Sequence, residues 1–387
     1  MERVKSDPGA PGRATRFVNG LIFTAGRGFV PGGFSVADGR FGEVFFDRRE
    51  GGTDLGGALV IPGLVDIHVH GAAGADFSDG DPAGLERMAA WLARNGVTSF
   101  APTSMSLPCE RLSTAFRAAA RLAEALPKGC ARPVGIHMEG PFFAEARKGA
   151  QNGAWLRPPE LEAFRALYAD SGGLLSIVDL APELEGAIPF TEGAKGCCAV
   201  SVAHTDASYE QARAAFEAGA SHLTHLYNAM PPIRHRSPGV IGAASEDGRV
   251  TAELICDGVH VHPSAVRMAF KLFPGRICLV SDALRCCGMP EGEYELGGQR
   301  VFLRGGAAYL ADGTLAGAAS SLFDDLRNAV AFGIPREEAI LAATLNPARA
   351  IGRADEIGSI EPGKRADFVL CGGDLERRAV YLGGERL

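Results

Sequence analysis

The chain has no uninterrupted apolar run approaching the roughly 20 residues that a membrane-spanning helix needs, so a helical membrane protein is not expected. Its opening, Met1-Glu-Arg-Val-Lys-Ser-Asp and then Pro8-Gly-Ala-Pro-Gly, is polar and offers no signal-peptide apolar region. This first dozen residues is expected to be mobile. No Cys-x-x-Cys occurs among the nine cysteines, which removes zinc-finger and thioredoxin-type motifs. Vicinal pairs stand at Cys197-Cys198 and Cys286-Cys287; scattered thiols in a long chain without a secretory signal imply reduced cysteines and a cytoplasmic setting. A basic stripe is also missing, and the formal net charge of −7 argues against a nucleic-acid partner.

What the chain has in excess is glycine, 51 residues in 387, about twice average usage. With 46% apolar and 22% charged residues the composition is globular, so the glycines belong to turns and close backbone approaches. The length suits one large barrel or two to three ordinary domains.

Both chain ends read as short strands: Arg16-Phe-Val-Asn-Gly-Leu-Ile-Phe, Gly33-Phe-Ser-Val and Gly42-Glu-Val-Phe-Phe at the start, Ala366-Asp-Phe-Val-Leu and Arg378-Ala-Val-Tyr-Leu at the finish. A small β-sandwich domain assembled from residues 1–61 and 354–387 is expected. Between them, residues 62–353 alternate short apolar runs with amphipathic helical patterns, the signature of parallel βα units. Candidate strands are Leu64–His70, Val97–Pro102, Val134–Glu139, Leu174–Leu180, Ala199–His204, Ser221–His225, Thr251–Cys256 and Ile277–Ser281. About eight such strands in roughly 290 residues match an α/β fold of the (β/α)8 TIM-like barrel type. A doubly wound sheet would want Gly-x-Gly-x-x-Gly after an early strand, and none sits there.

Chemistry in such a barrel collects at the C-terminal strand ends. The first candidate strand ends His68-Val69-His70, and the period of two points both imidazoles to one face. The third ends His137-Met138-Glu139, the fifth at His204, the sixth at His225, and Asp282 follows the eighth. Imidazole nitrogens and carboxylate oxygens suit Zn²⁺, Fe²⁺ or Mn²⁺, and a carboxylate can bridge two ions. Singly, each of these residues has a bland alternative, a core histidine or a capping acid; their coincidence across five strand ends favours a metal site. His137 is assigned to barrel filling or to support of the ligands. His222, three residues before His225, is expected to face the opposite way. His260-Val-His262 follows the turn signal Asp257-Gly258, making His260 a candidate substrate contact and His262 a bystander. Arg234-His235-Arg236 is either a solvated loop or a holder of an anionic substrate.

Taken together these stretches resemble the amidohydrolase superfamily, and within it the N-acetylglucosamine-6-phosphate deacetylases. The resemblance rests on Pro62-Gly-Leu-Val-Asp-Ile-His-Val-His-Gly71, Gly135-Ile-His-Met-Glu-Gly-Pro-Phe142, Lys148-Gly-Ala-Gln-Asn152 and His204-Thr-Asp-Ala207. It extends through Thr224-His-Leu-Tyr-Asn-Ala-Met-Pro231, Asp257-Gly-Val-His260, Val280-Ser-Asp-Ala283, Leu315-Ala-Gly317 and Ala343-Thr-Leu-Asn-Pro-Ala-Arg349. The resemblance implies hydrolysis of the acetyl amide of a phosphorylated amino sugar by a homodimer carrying one or two divalent ions. It implies Glu139, His204 and His225 as ligands of one metal, His68 and His70 as ligands of a second, and Asp282 as catalytic acid/base. Asn228, Ala229, Arg236 and His260 match contacts to the sugar phosphate, some of them across a dimer interface, while Leu315, Ala316 and Gly317 match a loop over the sugar. Gln151 departs from a pattern that often carries His; it can still donate to the N-acetyl group. Related amidases of D-aminoacylase or dihydroorotase type are the alternative, disfavoured because the fourth strand ends Asp179-Leu-Ala-Pro-Glu183 without the lysine many of them carry.

Overall fold

The computed structural model describes residues 14–387; the expectation of mobility for the first dozen residues lies outside them. The chain divides into two compact units, one running to Pro62 and resuming at Ser359–Leu387, the other Gly63–Gly358.

In the larger unit the apolar runs become eight parallel strands: β1 (Leu64–Val69), β2 (Val97–Ser104), β3 (Ile136–Phe142), β4 (Leu175–Leu180), β5 (Ala199–Val202), β6 (His222–Leu223), β7 (Thr251–Leu254) and β8 (Ile277–Leu279). β2 to β8 pair in sequence order and β1 pairs with β2. β8 and β1 share no ladder; the barrel closes just beyond them, where the Asp282 N–H donates to the His68 carbonyl at 2.9 Å and the His70 and Gly71 N–H groups donate to the Ala283 carbonyl. The intervening helices bury one apolar stripe each. In Pro82–Arg94 the stripe is Leu85, Met88, Ala89 and Leu92, and the helix starts where the Asp81 carboxylate accepts from the Ala83 and Gly84 N–H groups. Among the described residues, no helix is long and apolar enough to cross a membrane.

Three elements escaped the sequence reading. Short helices Ala187–Ala194 and Gly239–Glu246 complete the βα alternation. After β8 the chain leaves the barrel for a four-stranded antiparallel sheet of Gly292–Leu296, Gln299–Arg304, Ala307–Leu310 and Leu315–Ala318. Its two tight turns are Gly297-Gly298, with φ of +56° and +89°, and Gly305-Gly306, with +58° and +79°. Those angles make the two-residue hairpin turns that suit twisted strands, and side chains adopt them poorly.

In the smaller unit eight strands form one sheet, in the order 385–386, 377–382, 368–371, 59–62, 15–24, 28–37, 40–45, with Thr53–Asp54 beside the first strand. Phe41 and Phe368 lie four strands apart in that order, yet their ring centroids are 6.2 Å apart. Flat strands spaced about 4.8 Å apart could not bring them together, so the sheet folds over itself as a sandwich. Its centre is aromatic: Phe368 stacks on Tyr381 at 4.4 Å and meets the edges of Phe17 and Phe34 at 5.2 and 5.0 Å. Phe368→Ala is expected to cost about 3–5 kcal/mol of this unit's stability, read as a lowered midpoint in denaturant titration.

Candidate metal centre and substrate cavity

β1 and the residue just beyond its end deliver His68 and His70 side by side, their Nε2 atoms 3.2 Å apart. Glu139 from β3 stands opposite, with Oε1 3.1 Å from both His204 Nε2 and His225 Nε2 and Oε2 3.3 Å from His70 Nε2. Asp282, just past β8, sets Oδ1 3.3 Å from His70 Nε2 and 3.5 Å from His68 Nε2. The six residues expected at the rim therefore meet, all buried or nearly so.

The ring orientations are set from behind. His68 Nδ1 lies 2.8 Å from Glu253 Oε2, His70 Nδ1 3.1 Å from the Thr103 carbonyl and His204 Nδ1 2.8 Å from the Arg147 carbonyl. All three partners accept, so each Nδ1 carries a proton and each ring turns its Nε2 toward the neighbouring side chains. Lone pairs crowded at about 3 Å repel unless a proton or a cation lies between them; this donor set fits a divalent ion. Three groupings have ligand atoms within 4.8 Å of one another: Glu139/His204/His225, His68/His70/Asp282 and, behind the rim, His68/His137/Glu253. Glu139 faces the first two.

The electrostatics agree. Burial raises the carboxyl of Glu139, but hydrogen bonds from His204, His225 and His70 hold it well below its ordinary range. Burial also raises Asp282, and the neighbouring His68 and His70 bring it below the usual carboxylate value. Two imidazoles move the other way: burial lowers His70, but Asp282 and Glu139 bring it well above its ordinary value, and burial lowers His225, but Glu139 more than reverses this and its pKa stands at about 9. The cluster is a field for positive charge.

Three of these residues sit in left-handed backbone that side chains usually avoid: His204 at φ +43°, His225 at +32° and Asp282 at +47°. Such conformations cost about 1–3 kcal/mol each and persist only where surroundings impose them. Here the His204 carbonyl accepts from the Ala144 N–H at 3.0 Å, and the His225 N–H donates to Glu253 Oε2 at 3.2 Å. Asp282 is clamped on both sides, by the His68 carbonyl and by the Ala318 N–H.

The cluster opens onto a cavity of about 340 Å³, within the range of small-molecule sites. Gln151, Asn228, Ala229, His260, Leu315 and Ala316 line it, as does Arg147, which the sequence reading passed over. His260 Nδ1 is 2.6 Å from Asp257 Oδ2, which leaves Nε2 uncommitted. Gln151 faces inward: Nε2 donates to Glu139 Oε2 at 2.5 Å, and its oxygen accepts from the Ser106 N–H at 2.7 Å. Gly317 lies next to the lining residues, where an added Cβ would come 3.1 Å from the Asp282 carbonyl and 2.9 Å from the Leu284 side chain. Arg236 is exposed and does not line the cavity within one chain.

One expectation is corrected. His222 does not face away from the barrel: it is fully buried, with Nδ1 2.6 Å from Thr251 Oγ1 and Nε2 3.1 Å from Glu253 Oε1. β6 ends at Leu223 and the chain turns before His225, so the period of two does not run that far. His262 is absent from the cavity lining and has a local structural role: its Nδ1 accepts from the Ser264 N–H at the start of the helix Pro263–Leu272. The sequence reading also missed Glu253 and Asp179. His137 lies between Asp179 Oδ1 and the Ile67 carbonyl, at 3.0 Å from each. Both are acceptors, so both ring nitrogens donate; burial lowers its pKa, but Asp179 and Glu253 raise it to about 9.

The Amidohydrolase family model matches residues 59–387, and the chain belongs to that family of hydrolases. Within it, the chain is 41% identical to the N-acetylglucosamine-6-phosphate deacetylase of Bacillus subtilis (strain 168), over 82% of each chain. It is 39% identical to the N-acetylgalactosamine-6-phosphate deacetylase of Escherichia coli O157:H7, over 86% of this chain and 89% of that one. Among solved structures it resembles a variant of N-acetyl-D-glucosamine-6-phosphate deacetylase from Mycobacterium smegmatis in complex with N-acetyl-D-glucosamine-6-phosphate. The TM-score is 0.90 at 33% identity, covering 96% of this chain and 98% of that one.

Because His225 holds a proton up to about pH 9 in the metal-free protein, an incoming ion must displace it. Apparent Zn²⁺ affinity is expected to weaken about tenfold for each pH unit below that value, as measured by competition with a chelator across pH 6–9.

Proposed function

We propose that the protein hydrolyses the N-acetyl amide of N-acetylglucosamine 6-phosphate to glucosamine 6-phosphate and acetate, in amino-sugar catabolism or recycling. The observation that carries this reading is the buried meeting of four imidazoles, Glu139 and Asp282, all but His68 lining one cavity, in a chain so similar to such deacetylases.

Glu139, His204 and His225 are assigned to one divalent ion, and His68 and His70 to a second that Glu139 can bridge. The nitrogen and oxygen donors accept Zn²⁺, Fe²⁺ or Mn²⁺. A divalent ion held there acidifies water and polarises an amide carbonyl. Asp282, kept ionised by its imidazole neighbours, accepts a proton from water as oxygen bonds to the acetyl carbon. It then delivers that proton to the amide nitrogen as the carbon–nitrogen bond breaks, so the sugar leaves as an amine rather than as an unstable anion. Asp282 ends as it began, a carboxylate.

Gln151, Asn228, Ala229 and His260 are assigned to substrate contacts, with Leu315, Ala316 and Gly317 over the sugar. Gln151 already donates to Glu139, and its amide is suited to orient that carboxylate as well as the acetyl group. Arg236 is assigned to the phosphate from a second copy of the chain in a homodimer. A cytoplasmic setting follows from the phosphorylated substrate.

The decisive assay is acetate release by metal-reconstituted protein from N-acetylglucosamine 6-phosphate, its galactosamine epimer and the unphosphorylated sugar. Much faster release from N-acetylglucosamine 6-phosphate than from the unphosphorylated sugar is expected; equal rates on these two would refute the phosphate assignment. Asp282→Asn should lower kcat by about two to four powers of ten with metal still bound, and near-full turnover would remove the acid/base role. Arg236→Ala should raise KM for the phosphorylated sugar and leave that for the unphosphorylated one unchanged.

A further inference from the structure

Beneath the rim lies a layer of buried polar side chains that the reaction itself does not use. Glu253, in the middle of β7, is its centre and is fully buried. Its Oε2 accepts from His68 Nδ1 at 2.8 Å and from the His225 backbone N–H at 3.2 Å. Its Oε1 lies 3.1 Å from His222 Nε2. One carboxylate oxygen thus fixes a ring in one candidate metal grouping and the backbone of a residue in the other.

The imidazoles differ in what stands behind them. Behind His70 and His204 are neutral carbonyls, those of Thr103 and Arg147. His225 Nδ1 has no hydrogen-bond partner among the described residues. Only His68 of the four has its Nδ1 held by a carboxylate, and a carboxylate behind an imidazole both locks its tautomer and makes Nε2 a stronger donor to a metal.

We infer that Glu253 is a positioning residue that determines whether the His68/His70/Asp282 grouping holds an ion alongside the Glu139/His204/His225 grouping. This rests on the metal reading proposed above and adds to it a source of asymmetry between the two groupings. A glutamine at this position keeps the shape: its oxygen can still accept from His68 and from the His225 N–H, while its amide donates to His222. It removes only the charge. The effect should therefore fall on the His68 side and spare the other.

The test is metal stoichiometry. Metal-free full-length protein is titrated with Co²⁺, with the visible spectrum and a competing chelator reporting each equivalent. Wild type is expected to bind two ions. Glu253→Gln is expected to bind the second about ten- to a hundredfold more weakly and the first with unchanged affinity, a split that a loss of general stability would not produce. Two ions bound with wild-type affinities by Glu253→Gln would overturn the inference, as would equal weakening of both. If Glu253→Gln does not fold, Glu253→Asp takes its place, keeping the charge but drawing the shared oxygen away from the His68 ring and from the His225 N–H. Because only His68 loses a contact to its ring, the second ion is expected to weaken more than the first, and equal weakening would overturn the inference. A wild type that binds one ion overturns the inference alone, and one that binds none overturns the metal reading with it.

Discussion

The rim depends on three imidazoles being gripped at Nδ1. His68, His70 and His204 each donate that proton to an acceptor fixed in a different part of the barrel, and each has its Nε2 aimed into the shared cluster. Packed lone pairs and carboxylates are unfavourable in a dry interior unless positive charge is supplied. Protons supply it in the metal-free protein, as the raised pKa of His225 records. On the proposed reading a divalent ion supplies it in the working one. The interaction that organises the site is therefore repulsive until something fills it.

Holding such a centre requires a rigid frame, and the barrel provides it through its interior rather than through loops. His137, Asp179, Thr224 and Ser201 form a chain of contacts of 2.7–3.0 Å that links β3, β4, β5 and the end of β6. Glu253 joins this layer to the rim above. A buried polar network of this kind is stable only when its members are mutually satisfied. Here the main exceptions are Asp179 Oδ2 and His225 Nδ1, which lack partners among the described residues.

Much of this was legible in the sequence because strand periodicity carries direction. His68 and His70 are two apart, so the strand reading alone gave their common face. The remaining ligands were legible as strand ends once the alternation of apolar runs was recognised. The period failed where a strand was short: β6 has two residues, and extending its alternation to His225 sent His222 the wrong way. Glu253 left no spacing to read, since a single acid in Thr251-Ala-Glu-Leu looks like any exposed strand residue until its burial is known. The inserted sheet did carry a signal, in the glycine pairs 297–298 and 305–306 between alternating runs. That signal is masked because the sheet interrupts a long run of βα units. Arg236 follows a motif, but sequence cannot say which copy of the chain it serves.

Asp282 occupies the one place where the barrel has no ladder. Between β8 and β1 the wall is closed by backbone bonds at residues 282 and 283, and the same Asp282 backbone is tied on its other side to the inserted sheet. The seam of the barrel and the proposed carrier of the proton are thus one residue. The backbone bonds that close the cylinder are therefore the same bonds that hold the Asp282 carboxylate against His68 and His70.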